Sequence, residues 1–312
     1  MFEKLNEYGR RRKPIFFATD FEMKNWIFED ENVDFKLGDF KNYKSKDKGK
    51  KHTIINTSYV NFKKYKDSLI KVKEEIKKGN TYLLNLTFET KLEGDIDLEN
   101  IFHNSKAPFK LHVKDKFVCF SPERFVQIKQ NKVSTYPMKG TIDANIPHAM
   151  ERILANQKET SEHTMVVDLL RNDLGIVAKN VKVEKFRFID KINAGKKELL
   201  QVSSKITAEL DENWHDNLGD IIKKMLPAGS ITGTPKKKTV EIIKKIENYE
   251  RGYFTGVFGY YDGKSFDSAV MIRFIEKKSE GYVFKSGGGI TIESDVLSEY
   301  EEMKDKVYIP LF

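Results

Sequence analysis

The 312-residue sequence predicts an α+β fold, one large domain with largely antiparallel sheets. Three observations carry this. Short strand-like segments bounded by turn residues recur along the chain, so neighbouring strands are expected to pair as hairpins. A few longer segments place apolar residues at helical spacing. Strands and helices do not alternate strictly, which argues against a parallel βαβ sheet.

In chain order, IFFATDF and NWIFEDE read as early strands. VNFKKYKDSLIKVKEEIKKGN has helical spacing and ends on Gly79, a C-cap signal. YLLNLTFETKL is a strand, and KLHVKD, KFVCFSPE, RFVQIKQ and VSTYPMK follow as shorter ones. SEHTMVVDLLRNDLGIVA begins as a helix near Ser161, and VKVEKFRFI returns to strand. Pro235 opens the amphipathic helix TVEIIKKIENYE, which Gly252 ends. YFTGVFGYYD, SFDSAVMIRFIEK and GYVFKSGGGITI are strands joined by hairpin-like turns, and DVLSEYEEMKDKV is the last helix. There is no internal repeat and no Pro/Ser-rich linker. The lysine-rich stretch near residues 41–52 is the longest biased segment. Residues 1–312 are therefore read as a single domain, with 1–80 as its N-terminal part.

Hydrophobic residues make up 39% of the chain, enough for a large core. No run approaches the length of a membrane span, and the start, MFEKLNEYGRRRK, lacks the apolar middle of a secretory signal. A cytoplasmic protein without a membrane partner is expected. The lone cysteine, Cys119, sits in the buried-strand pattern KFVCF and reads as a core thiol. The net charge is +8. Much of the excess lies in tracts where lysine alternates with Asp, Gly and Ser, as on a solvated loop. No nucleic-acid partner is expected, although a basic nucleic-acid-binding protein is the alternative from a different class.

STYPMKGT (134–141) reads as a strand end with Lys139 at a sharp turn. With Asn131 at the tip of the preceding hairpin, residues equidistant from it face each other. That sets Glu123 opposite Lys139, on a face shared with Phe125, Gln127 and Thr135. Such a pair is either a modest surface ion pair or an acid/base carboxylate beside a nucleophilic amine. Glu159 and Glu162, three apart at a helix start, and Glu299 and Glu302, three apart on the last helix, each project from one helix face. They are either solvated surface residues or oxygen ligands for one Mg²⁺. His163, beside Glu162, hints at a transition metal, but a solvated or packed histidine is the simpler reading. Gly287, Gly288 and Gly289 suit either a turn or a ligand close to backbone N–H groups. PAGSITGTPKKKT is not a P-loop, because Thr-Pro follows Gly233.

SPERF (121–125), PMKGT (137–141), KETSEHTMVVDLLRNDLG (158–175), PAGSITGTPK (227–236), RGYFTGVFGY (251–260), MIR (271–273) and GGGITIESDVLSEYEEMKDK (287–306) together resemble the chorismate-utilising enzymes. The resemblance covers about the last two-thirds of the chain. It implies one α+β domain of two packed antiparallel sheets flanked by helices, with chorismate as substrate. It implies Mg²⁺ held by Glu162 and Glu302, with Glu159 and Glu299 acting directly or through water. Tyr253, Arg273, Gly287, Gly288, Gly289 and Lys306 match positions that bind the substrate's carboxylates, and Gly140 and Thr141 match a substrate-facing turn.

Within the family, lysine at the position of Lys139 resembles the aminodeoxychorismate synthases, component I. Anthranilate synthases usually carry alanine there and are the alternative. The lysine would attack C2 of chorismate as the C4 hydroxyl leaves, and Glu123 would assist as general acid/base. Ammonia would then expel the lysine, giving 4-amino-4-deoxychorismate for p-aminobenzoate and folate. Isochorismate and salicylate synthases resemble this chain less, because Leu83 stands where they carry a lysine base. Gln201 stands where many relatives have histidine, so it is given no proton-transfer role. The resemblance also implies that ammonia comes from solution or from a glutamine amidotransferase subunit.

Overall fold

The computed structural model describes residues 1–28, 31–44, 56–194 and 197–308. Of the lysine-rich stretch near 41–52, residues 45–52 lie outside them. Two nine-stranded antiparallel sheets with flanking helices make up the fold, as expected. Contacts group the chain into two compact units. One is Met1–Phe17, Glu123–Ser230 and Gly259–Ala269; the other is Ala18–Pro122, Ile231–Phe258 and Val270–Phe312. Among the described residues no helix is long and apolar enough to cross a membrane.

In the first unit the hub is strand Lys197–Glu209. It pairs with Lys132–Thr135 and Met138–Asp143 along one edge and with Lys179–Ala194 along the other. Lys132–Thr135 turns back on Arg124–Lys129 through Gln130 and Asn131, both left-handed at φ 50° and 58°. Two left-handed residues make the tight two-residue hairpin loop whose twist matches its strands. Val133 therefore faces Ile128, and Ser134 faces Gln127.

This corrects the expected pairing of Glu123 with Lys139. A two-residue turn moves the register by one from a turn centred on Asn131, and so changes every cross-strand partner. Phe125 and Thr135, expected on the face of Glu123 and Lys139, are buried, and so are Val126 and Ile128 on the other face. The strand also stops at Thr135. Beyond Pro137, Met138–Asp143 leaves Arg124–Lys129 and joins the hub strand instead. VSTYPMK is thus two strands that share a hub but not a partner.

Helix Gln157–Val177 starts before the expected Ser161, because Asn156 caps it by accepting from Glu159 N. Glu162, His163, Val167, Leu170 and Leu174 give it a buried face. Helix Phe2–Arg10 meets helix Leu218–Met225 at backbone range. A Cβ on Gly219 would lie 2.0 Å from Phe2 O, so only glycine fits there.

In the second unit the sheet order is Gly233–Thr234, Leu83–Glu93, Gly281–Ile290, Phe274–Lys278, Phe117–Ser121, Phe109–Val113, Val33–Leu37, Phe40–Lys41. Gly281–Ile290 pairs along Leu83–Glu93 from Tyr282 opposite Leu92 to Ile290 opposite Leu84. Phe102, Val118, Phe120, Ile275 and Phe284 belong to one buried cluster, and Phe117 stacks on Phe274. Cys119 is fully buried, and desolvation pushes its thiol far up, so it is an inert core residue. The predicted strand SFDSAVMIRFIEK is broken into Phe266–Val270 and Phe274–Lys278. The break falls at Arg273, which is left-handed at φ 53°. Helix Lys236–Ile246 follows Pro235 as predicted but ends at Glu247, well before Gly252. Helix Val296–Asp305 is capped by the Asp295 side chain, which accepts from Ser298 N.

Candidate functional site

Each unit gathers part of the predicted set. In the first, Lys139 Nζ lies 2.7 Å from Glu162 Oε2. Lys139 belongs to Met138–Asp143, and Glu162 points out of helix Gln157–Val177, so the pair ties strand to helix. Glu162 is buried at 5% exposure, and Lys158 Nζ stands 3.8 Å from its other oxygen, Oε1. That oxygen is buried without a hydrogen-bond partner among the described residues. Glu159 lies one helical turn back. Its Oε2 would sit 3.1 Å from a Cβ on Gly140, so the left-handed Gly140 (φ 94°) leaves room for that carboxylate. Thr141 Oγ1 donates to Gln201 Oε1 at 2.9 Å. Glu123, just before Arg124–Lys129, accepts from the Ser230 hydroxyl. Sequence reasoning missed Ser230, though it stands in the PAGS segment already singled out.

His163 is packed, as one of its sequence readings held. It is fully buried, and Nε2 lies 2.7 Å from Ser204 Oγ. Burial first, and the Arg187 guanidinium second, lower its pKa to about 4. The folded protein holds it neutral, whereas the unfolded chain protonates it near pH 6.5. Between these values the unfolded state binds more protons. This stability is complete above about pH 6.5 and is lost as pH falls toward 4, at about 1.4 kcal/mol per pH unit. Thermal unfolding at pH 7 and pH 5 should therefore show a larger drop for the wild type than for His163→Gln. Equal drops would remove His163 as the cause.

In the second unit, Lys306 Nζ pairs with Glu302 Oε1 at 2.7 Å and donates to Gly287 O at 2.9 Å. A Cβ on Gly288 would stand 3.5 Å from Lys306 Nζ, 3.6 Å from Glu299 Oε2 and 3.9 Å from Glu302 Oε1. The last helix thus sets two carboxylates and an ammonium over one bare strand position. Glu299 is buried, and Tyr65 is held neutral, first by its own burial and then by the charges of Glu299 and Glu302.

The three glycines differ. A Cβ on Gly287 would lie 2.2 Å from Leu86 O, so that glycine answers to the neighbouring strand. Gly289 would meet the Leu83 side chain at 3.1 Å, and only Gly288 looks onto the charged groups. Tyr253 stacks on Phe117, and burial raises its hydroxyl. Arg273 lies over the Tyr308 ring at 5.5 Å, and its Nε is buried without a hydrogen-bond partner among the described residues. An idle buried guanidinium N–H on a left-handed residue is suited to an incoming anion.

The donors that could hold a metal are all carboxylate oxygens, the type that suits a hard cation such as Mg²⁺. Glu162 divides its two oxygens, Oε2 on Lys139 and Oε1 without a hydrogen bond but 3.8 Å from Lys158 Nζ. Among the described residues no set of three or more His, Cys, Asp or Glu converges as a complete metal cage.

A family model described as chorismate binding enzyme matches residues 10–311. The chain is 46% identical over 318 residues to an uncharacterized PabA-like protein of Haemophilus influenzae, covering 99% of this chain and 96% of that protein. It is 32% identical over 259 residues to aminodeoxychorismate synthase component 1 of Salmonella typhimurium, covering 78% of this chain and 56% of that protein. The structure of MenF, the menaquinone-specific isochorismate synthase of Escherichia coli, superposes with a TM-score of 0.77 at 14% identity, covering 97% of this chain and 79% of that one.

Proposed function

The chain belongs to the chorismate binding enzyme family, and from that premise we propose that it is an aminodeoxychorismate synthase, component I, joining ammonia to C4 of chorismate. The observation that carries this reading is Lys139, an amine in a turn, fixed 2.7 Å from a buried carboxylate.

An ammonium is not a nucleophile, so Lys139 must first give up a proton. Glu162 Oε2 is in place to take it. The amine then forms a bond to C2 while the C4–O bond breaks, and Glu123 gives a proton to the departing hydroxyl as general acid. Ammonia next bonds to C4, and the C2–N bond to Lys139 breaks. The net change is chorismate plus ammonia to 4-amino-4-deoxychorismate plus water. Mg²⁺ held by Glu162 and Glu302, with Glu159 and Glu299 direct or through water, would neutralise a substrate carboxylate and polarise the ring. Tyr253, Arg273, Lys306 and the backbone at Gly287, Gly288 and Gly289 bind the substrate's carboxylates, and Gly140 and Thr141 line its turn. A glutamine amidotransferase subunit supplies the ammonia.

The test is incubation with chorismate, Mg²⁺ and ammonium, with products identified by mass. The expected product is 4-amino-4-deoxychorismate. Anthranilate as direct product overturns the assignment to C4, and isochorismate overturns amination.

The glycines give a second check. Gly288→Ala meets only ordinary van der Waals distances, so the fold accepts it. Its methyl fills space on the strand where a carboxylate approaches, and KM for chorismate should rise about tenfold or more. Gly287→Ala collides with backbone and should cost about 1–3 kcal/mol or more, read as a lowered Tm. A Gly288→Ala enzyme with unchanged KM removes that glycine from the binding surface.

A further inference from the structure

Met138 stands opposite Ser203, and Thr141 opposite Gln201, with a shift of register between them. Lys139 and Gly140 thus occupy a span that only Val202 faces on the hub strand. This is a bulge, which takes a residue out of the ladder and re-aims its side chain. It also leaves backbone groups that need partners. Gln201 supplies one of them. Gln201 Nε2 donates to Gly140 O at 2.8 Å, with a longer 3.4 Å contact to Val202 O. Oε1 of the same amide accepts from Thr141 Oγ1 at 2.9 Å. The two ends of one amide therefore close on consecutive residues of the turn that follows Lys139. A side chain at Gly140 would stand 3.1 Å from Glu159 Oε2, so the glycine lets the turn lie close to that carboxylate.

We propose that Gln201 is a positioning residue: its amide clasps the Gly140–Thr141 turn, locks the bulge and so fixes the aim of Lys139 at Glu162. The consequence for catalysis rests on the reading of Lys139 as nucleophile given above; the clasp does not. The chemistry calls for an amide, because the same group must donate at one end and accept at the other. A carboxylate offers only acceptors and would repel Gly140 O when ionised. Protonated, it regains one donor and restores the pattern. Gln201→Glu should therefore hold the clasp at low pH and lose it as pH rises through the introduced carboxyl's pKa, which hydrogen bonding of the neutral form lifts above the usual value. The titratable and charged groups near the turn include Lys139, Glu159, Glu162, Lys158 and His163, with Asp190 opposite Gln201 on strand Lys179–Ala194. Wild type and variant share all of them, so the ratio of the two isolates the new titration.

The experiment measures, for wild type, Gln201→Ala and Gln201→Glu over a range of pH, both amination kinetics and the labelling rate of Lys139 by an amine-reactive ester, resolved by peptide mass. Gln201→Ala should lower kcat about 100-fold with KM changed far less, the scale expected of a misplaced reacting group. Lys139 labelling should change several-fold while other lysines label as before. The ratio of Gln201→Glu to wild type should follow a single titration, near one at low pH and falling as pH rises. A flat ratio, or Lys139 labelling and kcat in Gln201→Ala equal to wild type, overturns the clasp. If Gln201→Ala does not fold, the pH course of Gln201→Glu decides alone. If the wild type does not aminate chorismate but Lys139 labelling still follows the titration, the proposed activity falls and the clasp stands.

Discussion

Lys139→Arg should retain the folded structure and the ion pair with Glu162 while losing amination by at least about 100-fold. Arginine keeps the charge and reaches a carboxylate well, but its guanidinium stays protonated in proteins and cannot attack carbon. The substitution therefore separates two roles that alanine would confuse. If Lys139 merely neutralises Glu162, arginine is an adequate replacement and activity survives. If the amine forms the bond to C2, arginine is as dead as alanine although Tm is kept. Lys139→Ala should lose activity too, with a lower Tm, because it leaves the buried Glu162 with only Lys158, 3.8 Å away. Intact-protein mass with chorismate and no ammonia should show an adduct on the wild type and none on Lys139→Arg. Turnover by Lys139→Arg within a few-fold of wild type would falsify the nucleophile assignment.

Lys139 also shows how far the sequence could be read. PMKGT singles it out as a candidate, but its partner was not legible. The hairpin was placed correctly, and the error lay in one turn residue: Gln130 and Asn131 both adopt left-handed backbone, and nothing in QN signals that as plainly as Asn-Gly does. One residue of register was enough to change every cross-strand partner. The larger omission was Lys197–Glu209, the hub of its sheet. KELLQVSSKITAE mixes apolar and polar residues without clean alternation, since both edges of this strand are paired and its burial varies along its length. Without that strand the bulge at Lys139 and Gly140 could not be foreseen, nor could the ties to Ser204 and Gln201.

The second sheet was easier. Its strands YLLNLTFETKL, KLHVKD, KFVCFSPE and GYVFKSGGGITI were read from apolar residues between turn signals, and the structure places strands at Leu83–Glu93, Phe109–Val113, Phe117–Ser121 and Gly281–Ile290. The break at Arg273 was invisible because MIRFIE continues the apolar pattern through a left-handed residue. Local patterning reports burial; it does not report a backbone held against its preference, which tertiary contacts must maintain.

Glu302→Gln should abolish activity or its dependence on Mg²⁺ while leaving Tm close to wild type, and it is a cleaner probe than Glu162→Gln. Glu162 is buried and holds Lys139, so its loss disturbs the amine as well as any metal. Glu302 is 43% exposed, and its partner Lys306 keeps a second anchor on Gly287 O. The stability at stake is that of a partly exposed ion pair, on the order of 1 kcal/mol. Glutamine matches the shape of glutamate and can still accept a hydrogen bond from Lys306. What it removes is one negative charge beside Glu299, on the face of Gly288. A hard divalent cation depends on that charge, whereas packing does not. Calorimetric titration with Mg²⁺ should then show weakened binding in Glu302→Gln, and kinetics should show the loss at any Mg²⁺ concentration that saturates the wild type. Normal turnover together with unchanged Mg²⁺ affinity would remove Glu302 from the ligand set and leave it as the counter-ion that fixes Lys306 above the glycine strand.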